Sequence, residues 1–478
     1  MLKKILLASL FLNSLISFSQ EIVSSTPINL KKNRDVFQTL NENKKEVTLF
    51  VSDKIKVNAL RLNEKMEVID SLSAERPMAK TYTNMIGYNL NNDNTRLFWS
   101  SNDYEEIFTQ FFDLKTREVI TKQYSLVLKE EKVLQKFSGN DNFYILSVLK
   151  KGNNLKLHIF DKDGIHTEKL IDFNRFKFLK SENTKTDLYG VLKENLLPFE
   201  APFSMQNINV KNPTSLTDSA KKRKCYFNDK QITITIDTNI DYTQIFIIDL
   251  ETFSVTEKIV RQHSISGDRF YLSSNSFYFE NKLYQIKTSM DKFYFSIKDL
   301  DNKIIKEYDA SSEKQIDFKN SEMSLEGSDF GGKRTLTNSS QFIRKINNLN
   351  LGISCYHIGQ NTLIAFGGVS SEQQSAGQTA MSQFGLIGAL VSVAVYNPGM
   401  ESFNSYANRK VVKIEGLFDN EGNHIKGELQ PLAFDKIRTF FDKNKDVSSQ
   451  TLFKMGDFYN LGYYDNKTKE YIIRKFAD

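Results

Sequence analysis

Apolar runs of about four to eight residues, each closed by a short polar turn and followed by a second such run, recur along the chain. The clearest copy spans Gln244 to Ile259. It reads Gln-Ile-Phe-Ile-Ile-Asp-Leu-Glu-Thr-Phe-Ser-Val-Thr-Glu-Lys-Ile: an apolar run ending on Asp249, a few turn residues, then a second strand-like run from Ser254. This is the pattern of a β-hairpin whose two arms pack into a sheet.

Variants of this unit can be counted. Leu60 to Val68 turns at Asn63, Phe111 to Val119 at Asp113, and Leu157 to Gly164 at Asp161. After Asp249 come Ile297 to Asn302 around Asp299, Leu417 to Gly422 around Asp419, and Tyr463 to Thr468 around Asp465. Successive turn residues stand 50 (Asn63 to Asp113), 48 (Asp113 to Asp161), 50 (Asp249 to Asp299) and 46 (Asp419 to Asp465) positions apart. That step is close to the roughly 40–50 residues of one four-stranded propeller blade. The interval from Asp161 to Asp249 suits two periods, with a degenerate copy near Asn207 to Ala220, and the interval from Asp299 to Asp419 suits two periods plus an insertion. A β-sandwich or a β-helix also contains such hairpins, but unrelated hairpins would not hold a near-50-residue step. The expected fold is therefore all-β: a single β-propeller domain over residues 20–478, with seven four-stranded blades (eight being the alternative) and one long inter-strand insertion. Asp113, Asp161, Asp249, Asp299 and Asp419 should occupy equivalent turns. On this hairpin spacing, and on the basic pair Lys3-Lys4, the apolar stretch Ile5 to Ile16 and the small residues Ser17 and Ser19 that open the chain as a secretory leader, the chain resembles secreted bacterial β-propeller proteins of the kelch-like and NHL-like kind. It departs from the kelch pattern in having paired glycines only at Gly331-Gly332 and Gly367-Gly368, and it carries no Trp-Asp signature.

The first residues bear on compartment. Lys3 and Lys4 precede an apolar stretch from Ile5 to Ile16, and Ser17 and Ser19 supply small residues for cleavage, so residues 1–19 read as a secretory signal peptide. The apolar run is shorter than the roughly 20 residues of a spanning helix, and no transmembrane helix is expected after cleavage. The protein is placed in the periplasm, on the outer-membrane surface or outside the cell. Losing Lys3 and Lys4 takes the formal charge from +6 to +4, too little over this length to imply nucleic acid as a partner. The partners left in view are another envelope protein or a polysaccharide. Cys225 and Cys355 could pair or remain two buried thiols.

Two stretches break the repeat. Thr184 to Lys224 carries Pro198, Pro202 and Pro213, ends in Lys221-Lys222-Arg223-Lys224, and reads as a degenerate blade whose basic run is a solvated loop. The second is an insertion at residues 370–402. Its first half is polar, while Phe384 to Gly399 holds no charge in a chain that is 26% charged. Phe384, Leu386, Ile387, Leu390, Val391, Val393, Val395 and Tyr396 form the candidate binding cluster: they either fold onto the propeller or meet a partner.

Catalytic signals are sparse. His158, His166, His263, His357 and His424 stand at no zinc-type or hydrolase-type spacing, and no nucleophile elbow, phosphate loop or Cys-x-x-Cys is present. Asp237-Thr238-Asn239-Ile240-Asp241 and Asp442-Lys443-Asn444-Lys445-Asp446 hold half of a calcium loop but lack its glycine and its final Glu, so both read as turns. No catalytic residue, metal site or cofactor is assigned. The function expected is a non-enzymatic secreted or cell-envelope binding or scaffold protein. The alternative is a propeller-fold glycoside hydrolase or lyase whose carboxylates come together from different blades.

Overall fold

A computed structural model describes residues 21–28, 35–196, 198–265, 271–327, 333–371, 409–444 and 446–478. The fold is all-β and of the β-propeller class, built on seven blade-type antiparallel sheets. Blades one, two, three and five are four strands each in chain order, over residues 35–75, 84–125, 131–172 and 273–311. Blade four (223–261) gains a fifth strand, Gln206–Ile208, parallel to its first. In blade six the strands Asn350–Ile358, Asn361–Val369 and Val411–Phe418 run in order, and the fourth place is taken by Ser324–Glu326 from upstream. Blade seven joins three strands of residues 447–477 to Glu21–Pro27, which pairs antiparallel with Glu470–Ala477.

The chain forms two compact units, one holding blades seven, one and two, the other blades three to six. Within each unit a common rule shapes the blades, except that the fourth-place strand of blade six, Ser324–Glu326, is mostly buried. The second strand is buried along almost its whole length, as in Glu46–Ser52, Asn94–Ser100, Asn142–Leu149 and Lys282–Thr288. The fourth strand is largely exposed, as in Val68–Glu75 and Glu118–Ser125. A strand covered on both faces reads as a continuous apolar run, whereas a half-covered one alternates. In the first unit Val36, Val47 and Leu49 pack with Tyr464 and Ile473 of blade seven, while Phe37 and Phe50 pack with Leu97 and Trp99 of blade two. In the second unit one core joins blades three and four through Leu146, Leu157, Ile234 and Phe246, and another joins blades five and six through Phe293, Phe295, Phe366 and Phe418.

The recurring aspartate has a structural cause. Asp113, Asp161, Asp249, Asp299 and Asp419, with Asn63, each close the third strand of a blade, and each side-chain oxygen accepts two backbone N–H groups of the turn that follows. In four of them, Asn63, Asp161, Asp299 and Asp419, the pattern reaches residues two and four ahead: Asp161 takes Asp163 N and Ile165 N at 3.0 and 2.7 Å, and Asp419 takes Glu421 N and Asn423 N at 2.9 and 2.8 Å. These turns carry their left-handed residue at the third position, Gly164 at φ +77° and Gly422 at φ +81°. In Asp113 and Asp249 the second acceptance is one residue earlier, at Thr116 N and Thr252 N, and the left-handed residue moves one later, to Arg117 and Phe253. An acceptor that organises its own turn is the reason Asp and Asn favour this position. Asp465 makes the same turn, accepting from Lys467 N at 2.7 Å, but lies between the second and third strands of its blade and so is not equivalent to the others.

Two long intervals hold insertions rather than extra blades. Residues 173–222 contain a two-stranded sheet (Phe178–Leu179 with Lys185–Thr186) and helices α1 (Leu188–Lys193) and α2 (Leu216–Ser219). The stretch from Asn207 to Ala220 is therefore an edge strand and a helix, not a degenerate blade. Residues 312–349 include α3 (Ser339–Asn347), and α4 (Ala433–Lys443) precedes blade seven. Helix α2 packs on blade six where Gly352 and Gly367 face each other across the ladder. A Cβ on Gly352 would meet Leu216 O at 2.9 Å, so this glycine admits the helix, while one on Gly367 would first meet Val412 O of the adjoining strand at 2.1 Å. Cys225 and Cys355 are buried free thiols. Among the described residues no helix is long and apolar enough to cross a membrane.

The turn chemistry is open to direct measurement. Burial alone would raise the Asp419 carboxyl, but hydrogen bonds from Asn423, Glu421 and Gly422 outweigh it and hold the group below its usual range. Asp419→Ala should lower stability to urea by about 1–2 kcal/mol, whereas Asp419→Asn, which keeps an acceptor, should cost clearly less. Equal losses would show that the acceptor is not what the turn requires.

Candidate functional site

The candidate cluster Phe384, Leu386, Ile387, Leu390, Val391, Val393, Val395 and Tyr396 lies outside the described residues, as do residues 1–20. The base from which the 370–402 insertion departs is described. It joins the second and third strands of blade six, whose ladder runs to Val369 opposite Val411. Beyond that pair Ser370 N donates to Lys410 O at 2.9 Å, Lys410 N donates to Ser370 Oγ at 2.9 Å, and Arg409 Nη1 donates to Ser370 O at 3.2 Å. The two stems are thus held together up to the point where the insertion begins.

Beside this base is a recess of about 220 Å³ lined by Leu196, Phe199, Glu200, Ala220, Lys222 and Asn350. Asn350 ties it to the hairpin, donating from Nδ2 to Val369 O at 2.9 Å. Two cations flank the Phe199 ring: Lys221 Nζ at 3.9 Å and the Arg409 guanidinium at 5.7 Å from its centroid, both within cation–π range. The 173–222 insertion supplies Phe199, Glu200 and Lys221, and α2 fixes their place by packing Leu216 against Val369 and Val411.

The basic run Lys221 to Lys224 is not the solvated loop its composition implies. Arg223 and Lys224 begin the first strand of blade four and are fully buried. Arg223 Nε donates to Glu200 Oε1 at 2.6 Å and its Nη2 to Ala201 O at 3.0 Å. Lys224 Nζ donates to Asp237 Oδ2 at 2.9 Å and to Asn275 Oδ1 at 2.7 Å. Asn275 in turn donates to Ala220 O and Leu351 O, at 2.8 and 2.7 Å. Every charge in this network has an opposite charge and further hydrogen bonds, which is what allows it inside. Asp237, first residue of a sequence with half a calcium loop, is spent on Lys224, Thr243 and Ser276, while Asn239 Oδ1 accepts Asp241 N at 2.9 Å in a plain turn. Lys222 reaches Ser274 O with its ammonium, and burial pushes that ammonium down to about 8.

A second cluster lies in blade three, and spacing along the chain does not reveal it. The strands Asn154–Asp161 and His166–Asp172 pair with His158 opposite Glu168 and His166 opposite Phe160, so these side chains share one face. His158 is fully buried, with Nε2 2.9 Å from Glu131 Oε2. Glu131 also accepts from Ser147 Oγ at 2.5 Å and meets Lys156 Nζ at 2.6 Å, and Lys156 reaches Glu168 at 3.0 Å. Burial would raise the Glu131 carboxyl, but His158, Lys156 and Ser147 together hold it at about 2. Burial lowers His166 from its usual value. The hairpin at Asp161 was the one sequence signal that could have placed these residues together, through its register.

No protein-family model matches the chain, and no curated protein matches it. Among solved structures the chain is similar to the WD40 domain of SCAP from fission yeast, at 11% identity and TM-score 0.32 over 96% of this chain and 90% of that one. It is also similar to an oligogalacturonate lyase in complex with manganese (8%, TM-score 0.34, 97% and 94% covered). A third likeness is to the β-propeller domain of the Trilobed protease from Pyrococcus furiosus (9%, TM-score 0.30, 94% and 95%). Likenesses at this level do not bear on what the chain binds or catalyses.

Two outcomes test the buried charges. Arg223→Met, which strands Glu200, should cost about 3–5 kcal/mol, and Arg223→Met with Glu200→Leu should recover much of that loss in chemical denaturation. For Lys222, the folded value of about 8 lies below the ordinary 10.5, so the unfolded chain holds more protons between those pH values. Its contribution to stability is therefore most unfavourable below pH 8 and improves as pH rises toward 10.5. Lys222→Met should flatten this part of the stability profile, and an unchanged slope would contradict the assignment.

Proposed function

We propose that this chain is a non-enzymatic binding or scaffold protein, exported by the leader at residues 1–19 to the bacterial envelope or beyond, in which the 370–402 insertion recognises a partner. The observation that carries this reading is the insertion's base: a hydrogen-bonded stem beside a recess lined by Phe199, whose ring meets two cations. Such a base can hold a recognition segment in a fixed place. The apolar residues of the insertion need cover, since fully burying each large aliphatic is worth about 1.5–3 kcal/mol. A partner surface is the cover proposed. The partner class is another envelope protein, with a polysaccharide as the alternative outcome. Glu131, Glu200 and Asp237 are each paired with a cation, so none of these three is free to exchange protons with a glycoside substrate.

The test replaces residues 372–402 with a short Gly-containing turn in the full exported chain. Melting should stay within about 3 °C of the parent, and the mature protein should begin near Gln20 by mass spectrometry. A photo-crosslinker placed at Leu390 should capture one envelope protein in the native host, and Val393→Asp should abolish capture. Failure of the shortened chain to fold would make the segment part of the core. Capture unchanged by Val393→Asp would place recognition elsewhere.

A further inference from the structure

The face of blade three that carries His158, His166 and Glu168 has a feature that the proposed binding role leaves unused. One nitrogen or oxygen from each of the three side chains lies within 4.8 Å of those from the other two. His158 Nδ1 and Glu168 Oε1 are 3.4 Å apart. Two donors each about 2.0–2.1 Å from one tetrahedral ion stand roughly 3.4 Å from each other.

The protonation of His158 follows from its neighbours. Glu131 takes donors from Ser147 and Lys156 as well as from His158, and a carboxylate so placed acts as acceptor only. The proton on His158 is therefore at Nε2, and Nδ1 presents its lone pair. That nitrogen makes no hydrogen bond, although the side chain is fully buried. At 3.4 Å it meets a second acceptor, Glu168 Oε1. Two acceptors so close, one of them on a fully buried ring, repel unless a positive centre lies between them.

A proton on Nδ1 would be one such centre, but the contact lacks the alignment of an N–H···O bond. A metal ion would be another, and the donor atom of His166, within 4.8 Å of those of His158 and Glu168, completes its ligand set. The His166 ring lies nearly parallel to His158, with centroids 5.6 Å apart. Lys156 holds the other oxygen of Glu168 at 3.0 Å, which turns Oε1 toward the two imidazoles. A buried carboxylate behind a ligating histidine is a usual means of fixing its tautomer and orientation.

We infer that His158, His166 and Glu168 bind one divalent transition-metal ion of the zinc or cobalt class, with Glu131 orienting His158. Two neutral imidazoles and one carboxylate suit such ions and not the hard cations that prefer all-oxygen sets. Three protein ligands leave a further position for water or another ligand. The Glu168 side chain is 45% exposed, which gives an ion a route in from solvent.

The experiment uses the full mature chain, stripped with chelator and dialysed into metal-free buffer, then titrated with Zn²⁺ or Co²⁺ alone. One equivalent should bind by equilibrium dialysis with elemental analysis, Co²⁺ should give the visible d–d bands of a low-coordinate site, and bound metal should raise the melting temperature. His166→Ala and Glu168→Gln, at positions that are not fully buried, should each abolish the cobalt bands with secondary structure retained. Glu131→Gln should weaken binding roughly tenfold to a hundredfold. No uptake by the parent chain would overturn the inference and leave a proton at Nδ1. Uptake unchanged in both His166→Ala and Glu168→Gln would place the metal elsewhere and overturn it as well.

Discussion

A sheet whose second strand is buried on both faces cannot stand alone in water, and each blade of this chain depends on that constraint. Phe50, Leu97, Leu146, Ile234, Ile286 and Ile364 are essentially inaccessible, and each belongs to a core that includes residues of a neighbouring blade. Aromatic rings supply much of this contact. Phe293 and Phe295 meet Phe366 and Phe418 edge-to-face across blades five and six, with centroids 4.7–5.9 Å apart. The high phenylalanine content is thus the material of the seams between blades, where large flat side chains bury the most area for the fewest rotatable bonds.

With the second strand committed to burial, variation is confined to the strand ends. In blades one to six the turn after the third strand is held by one Asp or Asn and one left-handed residue, and it varies by only one position in length. The larger departures, residues 173–222, 312–349 and 370–402, enter between blades or at a hairpin end, where added chain leaves the ladders intact. Once entered, two of them are drawn back onto the frame. Helix α2 lies over Gly352 and Gly367, and helix α3 buries Phe342, Ile343 and Ile346 against blades five and six. The cover provided by the first of these insertions takes the Arg223 and Lys224 side chains out of water, and Glu200, from the same insertion, neutralises Arg223.

The candidate sites differ in how far they can be read from order along the chain. The uncharged run from Phe384 to Gly399 stands out by composition alone, and so does the basic run at Lys221 to Lys224. Composition misjudged the second, because it records that charges are present and not whether Glu200, 23 positions away, and Asp237, 13 positions away, meet them. The blade-three cluster shows the same gap more sharply. His158 and Glu168 are ten positions apart and look unrelated until the turn at Asp161 sets the register that puts them opposite each other.

Period, burial alternation and turn acceptors are local properties, written in a few consecutive residues, and from them the sequence by itself determined an all-β chain of blade-like repeats with equivalent turns at Asp113, Asp161, Asp249, Asp299 and Asp419. The same local signals overcounted where the turn motif recurs out of place, at Asp465, and where an edge strand and a helix mimic a repeat, at Asn207 to Ala220. Only the tertiary structure decided that Ser324–Glu326 completes blade six, that Arg223 and Lys224 are buried ion-pair partners, and that His158, His166 and Glu168 converge. Those outcomes depend on strand register and on which insertion covers which face, and both are settled by packing between segments distant in sequence.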